Sequence, residues 1–362
     1  MKKHYHWLDL LRFLAAFEVV LSHYRGVFFA EYSLLPAEQQ NLFTSLFYSA
    51  TRLSNESVLL FFVLSGFLVG GNSLQRILSN TVDVKSYLID RLVRIILPLL
   101  ASVVLVILID LVTGQPIPFV SILGSLFSLQ GIFTDNYTNS PLWSLSYEVW
   151  FYVLMACIMA VCRIKKLSVL LFSFLMLVVV GFVFTKLNPI HLVVWCIGAF
   201  AFLLPKSKSS VSKLKLLFYS GLFLVSFALL QITSGSRSVA FGSFLFLNRN
   251  LCLVFAALTS GLFIHNISQF VPKNKLALKI DSVGSRLSKF SYSLYLTHYP
   301  VIYLFCHYGF PEHNPFSLKS ISFYVFAVLL CLLLAYLVYL LSEKHTDFVK
   351  RLLKEKVFTS KT

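Results

Sequence analysis

About ten apolar runs follow one another along this 362-residue chain, at residues 7–27, 56–72, 93–113, 141–162, 167–185, 188–204, 214–233, 249–267, 289–308 and 319–342. Each is near the roughly 17 to 25 residues that a helix needs to cross a bilayer. Hydrocarbon offers backbone N–H and C=O groups no partners, so runs of this kind must satisfy themselves internally as helices. The expected fold is therefore an all-α membrane protein, a polytopic bundle of about ten transmembrane helices. A shorter apolar piece, residues 119–133, reads as interfacial or re-entrant.

Composition agrees with the patterning. The chain is 57% hydrophobic and 13% charged, with a mean hydropathy of +0.79, which fits no soluble domain. A net charge of +16 would suit nucleic acid, but the basic residues lie between the apolar runs, where their role is topological. Of the 31 lysines and arginines, 24 fall on one alternating set of loops and ends, including Lys2, Lys3, Lys208 and Lys361. Six fall on the other set, Arg237 among them, and Arg12 lies within the first run. Cytoplasmic loops carry the excess, so both termini are expected to be cytoplasmic. Met1-Lys2-Lys3 looks like a signal-peptide start, yet Arg12 and Glu18 interrupt the run behind it and no A-x-A-like site ends it; a retained first span is expected. The expected domains are a membrane domain over residues 1–345 and a short basic cytoplasmic tail over 346–362, resting on anionic lipid. The six cysteines lie in or beside apolar runs and read as small buried hydrophobes.

The first run carries Asp9, Arg12, Glu18 and His23. Ionisable groups there cost about 2.5 to 3.5 kcal/mol each for Arg, Lys or Asp at a helix centre, and their usual explanation is functional. Arg12 and His23 are eleven residues apart, which returns them to within roughly 20° of one helix face, about 16 Å apart along the axis. A snorkelling arginine and an interfacial histidine is the other reading of the pair.

Four more constellations stand out. Ser65-Gly66 lies inside a helix, where it allows close backbone approach and offers a hydroxyl; helix packing alone would also explain it. Arg91 and Arg94, at i and i+3, share a face and suit bidentate recognition of phosphate oxygens, or serve as a positive-inside anchor. Ser144, Glu148 and Tyr152 form a polar stripe in an apolar helix, where Glu148 must be protonated, paired or facing a wet cavity. Tyr292, Tyr295 and His298 open the ninth run just before Pro300, and Glu343-Lys344 closes the tenth. His4, His6, His191, His265, His307, His313 and His345 sit at run edges or in loops and suit interfacial packing; no metal spacing occurs.

In this order, Arg12-x10-His23, Phe61-Phe62-Val63-Leu64-Ser65-Gly66-Phe67, Arg91-x-x-Arg94, Leu142-Trp143-Ser144-Leu145-Ser146-Tyr147-Glu148, Ser291-Tyr292-Ser293-Leu294-Tyr295-Leu296-x-His298-x-Pro300 and Glu343-Lys344 are landmarks of one family. The chain resembles the acyltransferase-3 family of integral membrane O-acyltransferases, which modify bacterial polysaccharide, lipopolysaccharide and some small molecules. Val149 and His345 depart from the acidic residue and the proline often found at those places. Some members add a hydrolase-like domain outside the membrane; here the bundle, alone or with a separate partner, is expected to deliver the acyl group.

The resemblance implies a multi-pass protein of the bacterial inner membrane that moves an acyl group, most often acetyl, from cytoplasmic acyl-coenzyme A to a hydroxyl of a surface or exopolysaccharide sugar. His23, Arg12 and Glu148 are the implied catalytic residues, with His23 as base. Arg91, Arg94, Ser65 and Gly66 are implied on the donor side, and Tyr152, Tyr292, His298 and Glu343 are further candidates. Acetyl-CoA is a co-substrate, and no metal is expected. The expected partners are the acyl-CoA donor, a polysaccharide or glycolipid acceptor and the bilayer, with a second copy or other polysaccharide-biosynthesis proteins as further candidates and no nucleic acid. The competing class is a carrier that flips a glycan or lipid-linked precursor. Carriers tend to show Gly- or Pro-broken helices in matching positions of two halves, and the sequence has no such symmetry.

Overall fold

The computed structural model describes residues 5, 7–134, 139–207, 211–233, 238–241, 245–310 and 313–359. Of the basic residues and histidines named above, Lys2, Lys3, His4, His6, Lys208, Arg237 and Lys361 lie outside them. In chain order the helices are α1 (Leu8–Phe28), α2 (Leu42–Ala50) and α3 (Ser54–Ser65), which continues through a π-helical Gly66–Gly71 into α4 (Asn72–Leu78). There follow α5 (Val84–Val112), α6 (Phe119–Leu126), α7 (Trp143–Arg163), α8 (Leu167–Lys186), α9 (Ile190–Leu203) and α10 (Lys213–Ile232). The last are α11 (Arg249–Ile267), α12 (Lys275–Leu287), α13 (Ser291–His307), α14 (Leu318–Leu341) and α15 (Thr346–Thr359).

One element departs from the all-helical expectation. Between α10 and α11 an antiparallel hairpin pairs β1 (Ser238–Phe241) with β2 (Leu245–Asn248), Ser238 opposite Asn248 and Phe241 opposite Leu245. Val239, Phe241 and Phe246 are residues that favour extended chain.

Seven helical stretches are long and apolar enough to cross a bilayer. The other three expected runs are also helical but fall outside that measure. Helix α1 carries Asp9, Arg12, Glu18 and Arg25, α9 has 14 residues and α13 has 17. Helix α6, in the piece expected to be interfacial or re-entrant, has eight residues, about 12 Å of helix, too short to cross. Helix α5 has 29 residues, about 43 Å against a hydrocarbon core of about 30 Å, so it extends beyond that core.

The chain divides into two compact units, the first formed by Met1–Phe13, Asn55–Val84 and Tyr147–Leu287, the second by Leu14–Ser54, Lys85–Ser146 and Ser288–Thr362. In the first unit, α9 lies directly against α3 and its π-helical continuation. A Cβ on Gly66 would collide with the carbonyl oxygen of Trp195, and one on Gly198 with that of Val63, so each helix offers a glycine where the other brings its backbone close. Trp195 is fully buried, stacks on Phe151 at 5.3 Å and donates Nε1–H to Ser65 Oγ at 3.3 Å. Helices α10 and α11 meet through Phe223 stacked on Phe263 and through Ser226 and Thr259 hydroxyls 2.7 Å apart. The chain start is clamped, Trp7 donating its backbone N–H to Asp281 Oδ1 at 2.9 Å and its indole N–H to the Phe270 carbonyl at 2.8 Å.

The second unit packs the later part of α1 with α13 and α14. Phe28 meets Phe305 edge-on, and Tyr324 donates to the carbonyl of Leu21 at 3.1 Å. Glu18, one of the costly groups of the first run, accepts the backbone N–H of Leu53 at 3.2 Å, and Arg25 donates to the carbonyl of Thr51 at 3.2 Å. Two of the intramembrane charges thereby secure the loop before α3.

Candidate active site

Pro300 sits inside α13 and has no N–H for the carbonyl of Leu296, four residues back, where a helix would normally supply one. That carbonyl is taken up from outside the helix: Ser102 Oγ–H of α5 and Asn139 Nδ2–H each donate to it at 2.8 Å. All three partners are buried, so the break in α13 is tied to its neighbours. His298 lies within this held segment and is fully buried.

The hydrogen bonds of His298 specify which of its nitrogens carries hydrogen. Its Nδ1 is 2.7 Å from the carbonyl of Tyr295, an oxygen that can only accept, so Nδ1 is the donor. Its Nε2 is 3.3 Å from Nδ1 of His23. A doubly protonated His298 would be a cation in a fully buried position, at a steep desolvation cost; the neutral ring presents a lone pair at Nε2 and accepts from His23 Nδ1–H. The remaining lone pair of the chain of bonds is then on Nε2 of His23, a half-buried residue. Tyr24 donates to the carbonyl of His298 at 3.3 Å, and Tyr299 stands edge-on to the His23 ring at 5.7 Å.

Around this pair, Tyr295 donates its hydroxyl to the carbonyl of Pro141 at 2.6 Å, and Ser144 Oγ lies 2.6 Å from the same phenol oxygen. The only hydrogen of that phenol is committed to Pro141, so Ser144 is the donor. Glu343 accepts two bonds from Ser293, its backbone N–H at 3.0 Å and its hydroxyl at 2.7 Å, which puts a carboxylate on the first turn of α13 where the helix dipole favours it. Tyr292, beside it, is half-buried.

The other expected residues are placed as follows. Arg12 donates to Asp9 Oδ1 at 3.1 Å, one turn earlier on α1. Glu148 accepts from the hydroxyl of Tyr152, one turn later on α7. Ser65 and Gly66 lie in the α3–α9 contact described above. Arg91 and Arg94 lie near the start of α5, next to Asp90, which pairs with Lys354 of α15 at 2.8 Å. Arg12, Glu148, Tyr152, Ser65 and Gly66 belong to the first unit, while His23, His298, Tyr292, Glu343, Arg91 and Arg94 belong to the second.

Sequence reading paired His298 with Tyr295 and left its contact with His23 unseen, since 275 positions separate the two histidines. It passed over Ser102 and Asn139 as well. The available signal was Pro300, which announces an orphaned carbonyl at Leu296 and so a need for donors elsewhere.

A family model described as an acyltransferase domain matches residues 5–340 of the chain. No curated protein and no solved structure matches it.

Proposed function

The chain belongs to the acyltransferase-3 family of membrane acyltransferases, and from that premise we propose that it transfers an acetyl group from acyl-coenzyme A to a hydroxyl of a cell-surface or exopolysaccharide sugar. The observation that carries the mechanism is the bond between His23 and His298. A sugar hydroxyl is a weak nucleophile and needs a base within hydrogen-bond reach. His23 Nε2, left with the lone pair by the bonding order from the Tyr295 carbonyl outward, is that base.

In the reaction, Nε2 of His23 removes the hydroxyl proton while the oxygen attacks the thioester carbonyl carbon. The tetrahedral intermediate collapses, the carbon–sulfur bond breaks, and the thiolate takes the proton from His23. Ester and free coenzyme A result, with all protons accounted for. His298 holds the base in one tautomer and accepts from the imidazolium as charge develops, the duty a carboxylate performs in other base dyads. As a neutral group it adds no negative charge to the site.

Arg12 serves a different part of the substrate. On the single helix α1 it is about 16 Å from His23 along the axis, too far for both side chains to meet one reacting atom. We assign it to the donor side, together with Arg91 and Arg94, and Glu148 with Tyr152 to the lining of the transfer path; the contact between α3 and α9 at Ser65-Gly66 forms its wall. Both termini then face the cytoplasm of a bacterial inner membrane, where acyl-coenzyme A is available, a reading supported by the excess of lysine and arginine on that side.

The test is release of coenzyme A by purified protein given acetyl-coenzyme A and the native surface glycan, with mass analysis of the glycan. Release that depends on the glycan and is lost in His23→Gln supports the reading. A His23→Gln protein with wild-type turnover removes it.

A further inference from the structure

Helix α15 is bound to the start of α5. Lys354 Nζ lies 2.8 Å from Asp90 Oδ1, both side chains about one-third exposed at 31%. One turn earlier on the same face of α15 is Lys350, whose side chain is 14% exposed. Arg94, Arg91 and Asp90 all lie within electrostatic reach of that ammonium. The counter-charges are few. Asp90 is engaged by Lys354, and Asp347, 3.5 Å from Lys350, is 80% exposed and screened by solvent.

Two guanidinium groups and a largely buried ammonium repel one another unless an anion sits among them. The arrangement of two planar forks and one point charge suits the oxygens of a phosphate group. We propose that Lys350 joins Arg91 and Arg94 in a three-point site for a phosphate of the acyl donor, so that the C-terminal helix is part of the donor site. This inference rests on the donor assignment made above. A phosphate could also come from a lipid headgroup, but a phosphomonoester dianion answers three cations better than a lipid phosphodiester does.

The experiment measures coenzyme A binding by full-length protein in detergent and in nanodiscs of phosphatidylcholine, with or without phosphatidylglycerol. Lys350→Gln should raise the Kd for coenzyme A about 10- to 150-fold, as expected for losing one charged hydrogen bond. Lys350→Arg should stay within a few-fold of wild type, and Lys356→Gln, on an exposed position of the same helix, should match it. Dephospho-coenzyme A should bind wild type and Lys350→Gln with similar Kd values if the phosphate held is the 3′-monoester. Wild-type affinity in Lys350→Gln overturns the inference, as does an effect seen only in the response to phosphatidylglycerol, which would assign the site to lipid. Failure of the wild-type protein to bind coenzyme A overturns the donor assignment itself.

Discussion

His298 presents Nε2 to Nδ1 of His23 at 3.3 Å, from a fully buried position, while its own Nδ1 is committed to the carbonyl of Tyr295 at 2.7 Å. One carbonyl thus sets the hydrogen positions of two imidazoles in series. The consequence is a base whose reactive nitrogen is chosen by backbone geometry rather than by a carboxylate.

His23→Gln should cost about 10²- to 10⁴-fold in kcat, the usual loss for a general base. His298→Gln should cost less, because its amide oxygen can accept from His23 Nδ1–H, whereas His298→Leu should approach the His23→Gln value. Because His298 acts through His23, the losses should appear in kcat with donor and acceptor KM unchanged. Equal kcat in the Gln and Leu variants of His298 would mean that the contact only fills space.

The break at Pro300 yields a second expectation. Ser102→Ala and Asn139→Ala each remove one of two donors to Leu296, and each should cost about 0.5 to 1.5 kcal/mol of stability. The double variant leaves a buried carbonyl with neither donor, so its cost should exceed the sum of the two. Chemical unfolding of the four proteins in one detergent completes the cycle. Additivity would mean that the carbonyl has another source of hydrogen bonds.

The sequence made the helices legible because each apolar run is long and its composition unambiguous. It also made individual polar residues legible, His23, Arg91, Arg94, Glu148 and His298 among them, since a polar side chain in an apolar helix stands out. Their pairing was another matter. His23 finds His298 across 275 positions, Ser65 finds Trp195 across 130, and Lys354 finds Asp90 across most of the chain. Periodicity speaks only of neighbours within one element, so contacts of this range leave no trace in it. Ser65-Gly66 shows the boundary well: close approach could be read from the residues, but not that the backbone approaching is that of Trp195.

That contact is itself testable. Gly66→Ala and Gly198→Ala each place a methyl against a backbone carbonyl that cannot rotate away, so each should destabilise by about 1 to 3 kcal/mol, the usual cost of overpacking. Gly221, inside α10, has open space around it, and Gly221→Ala should stabilise the helix by roughly 0.5 to 1 kcal/mol. Thermal unfolding of the purified proteins reads all three. Equal melting temperatures would refute the reciprocal glycine contact between α3 and α9.

Glu343 stands among the candidates for chemistry, yet its two bonds from Ser293 give it a structural duty at the first turn of α13. The two roles predict different outcomes. If Glu343 holds the helix, Glu343→Ala should cost about 1.5 to 3 kcal/mol for losing bonds to a charged acceptor, and Glu343→Gln, which keeps an oxygen for Ser293 but loses the charge facing the helix dipole, about 0.3 to 1 kcal/mol. Turnover per folded molecule should then be preserved in the Gln variant, because α13 and the His298 it carries stay in place. If Glu343 moves a proton during transfer, the Gln variant should instead keep its melting temperature within a degree or so and lose activity by about 10²-fold or more. Measuring melting temperature and single-turnover rate on the same preparation of Glu343→Gln separates them, and a stable but inactive protein would move Glu343 from holding the helix to taking part in the reaction.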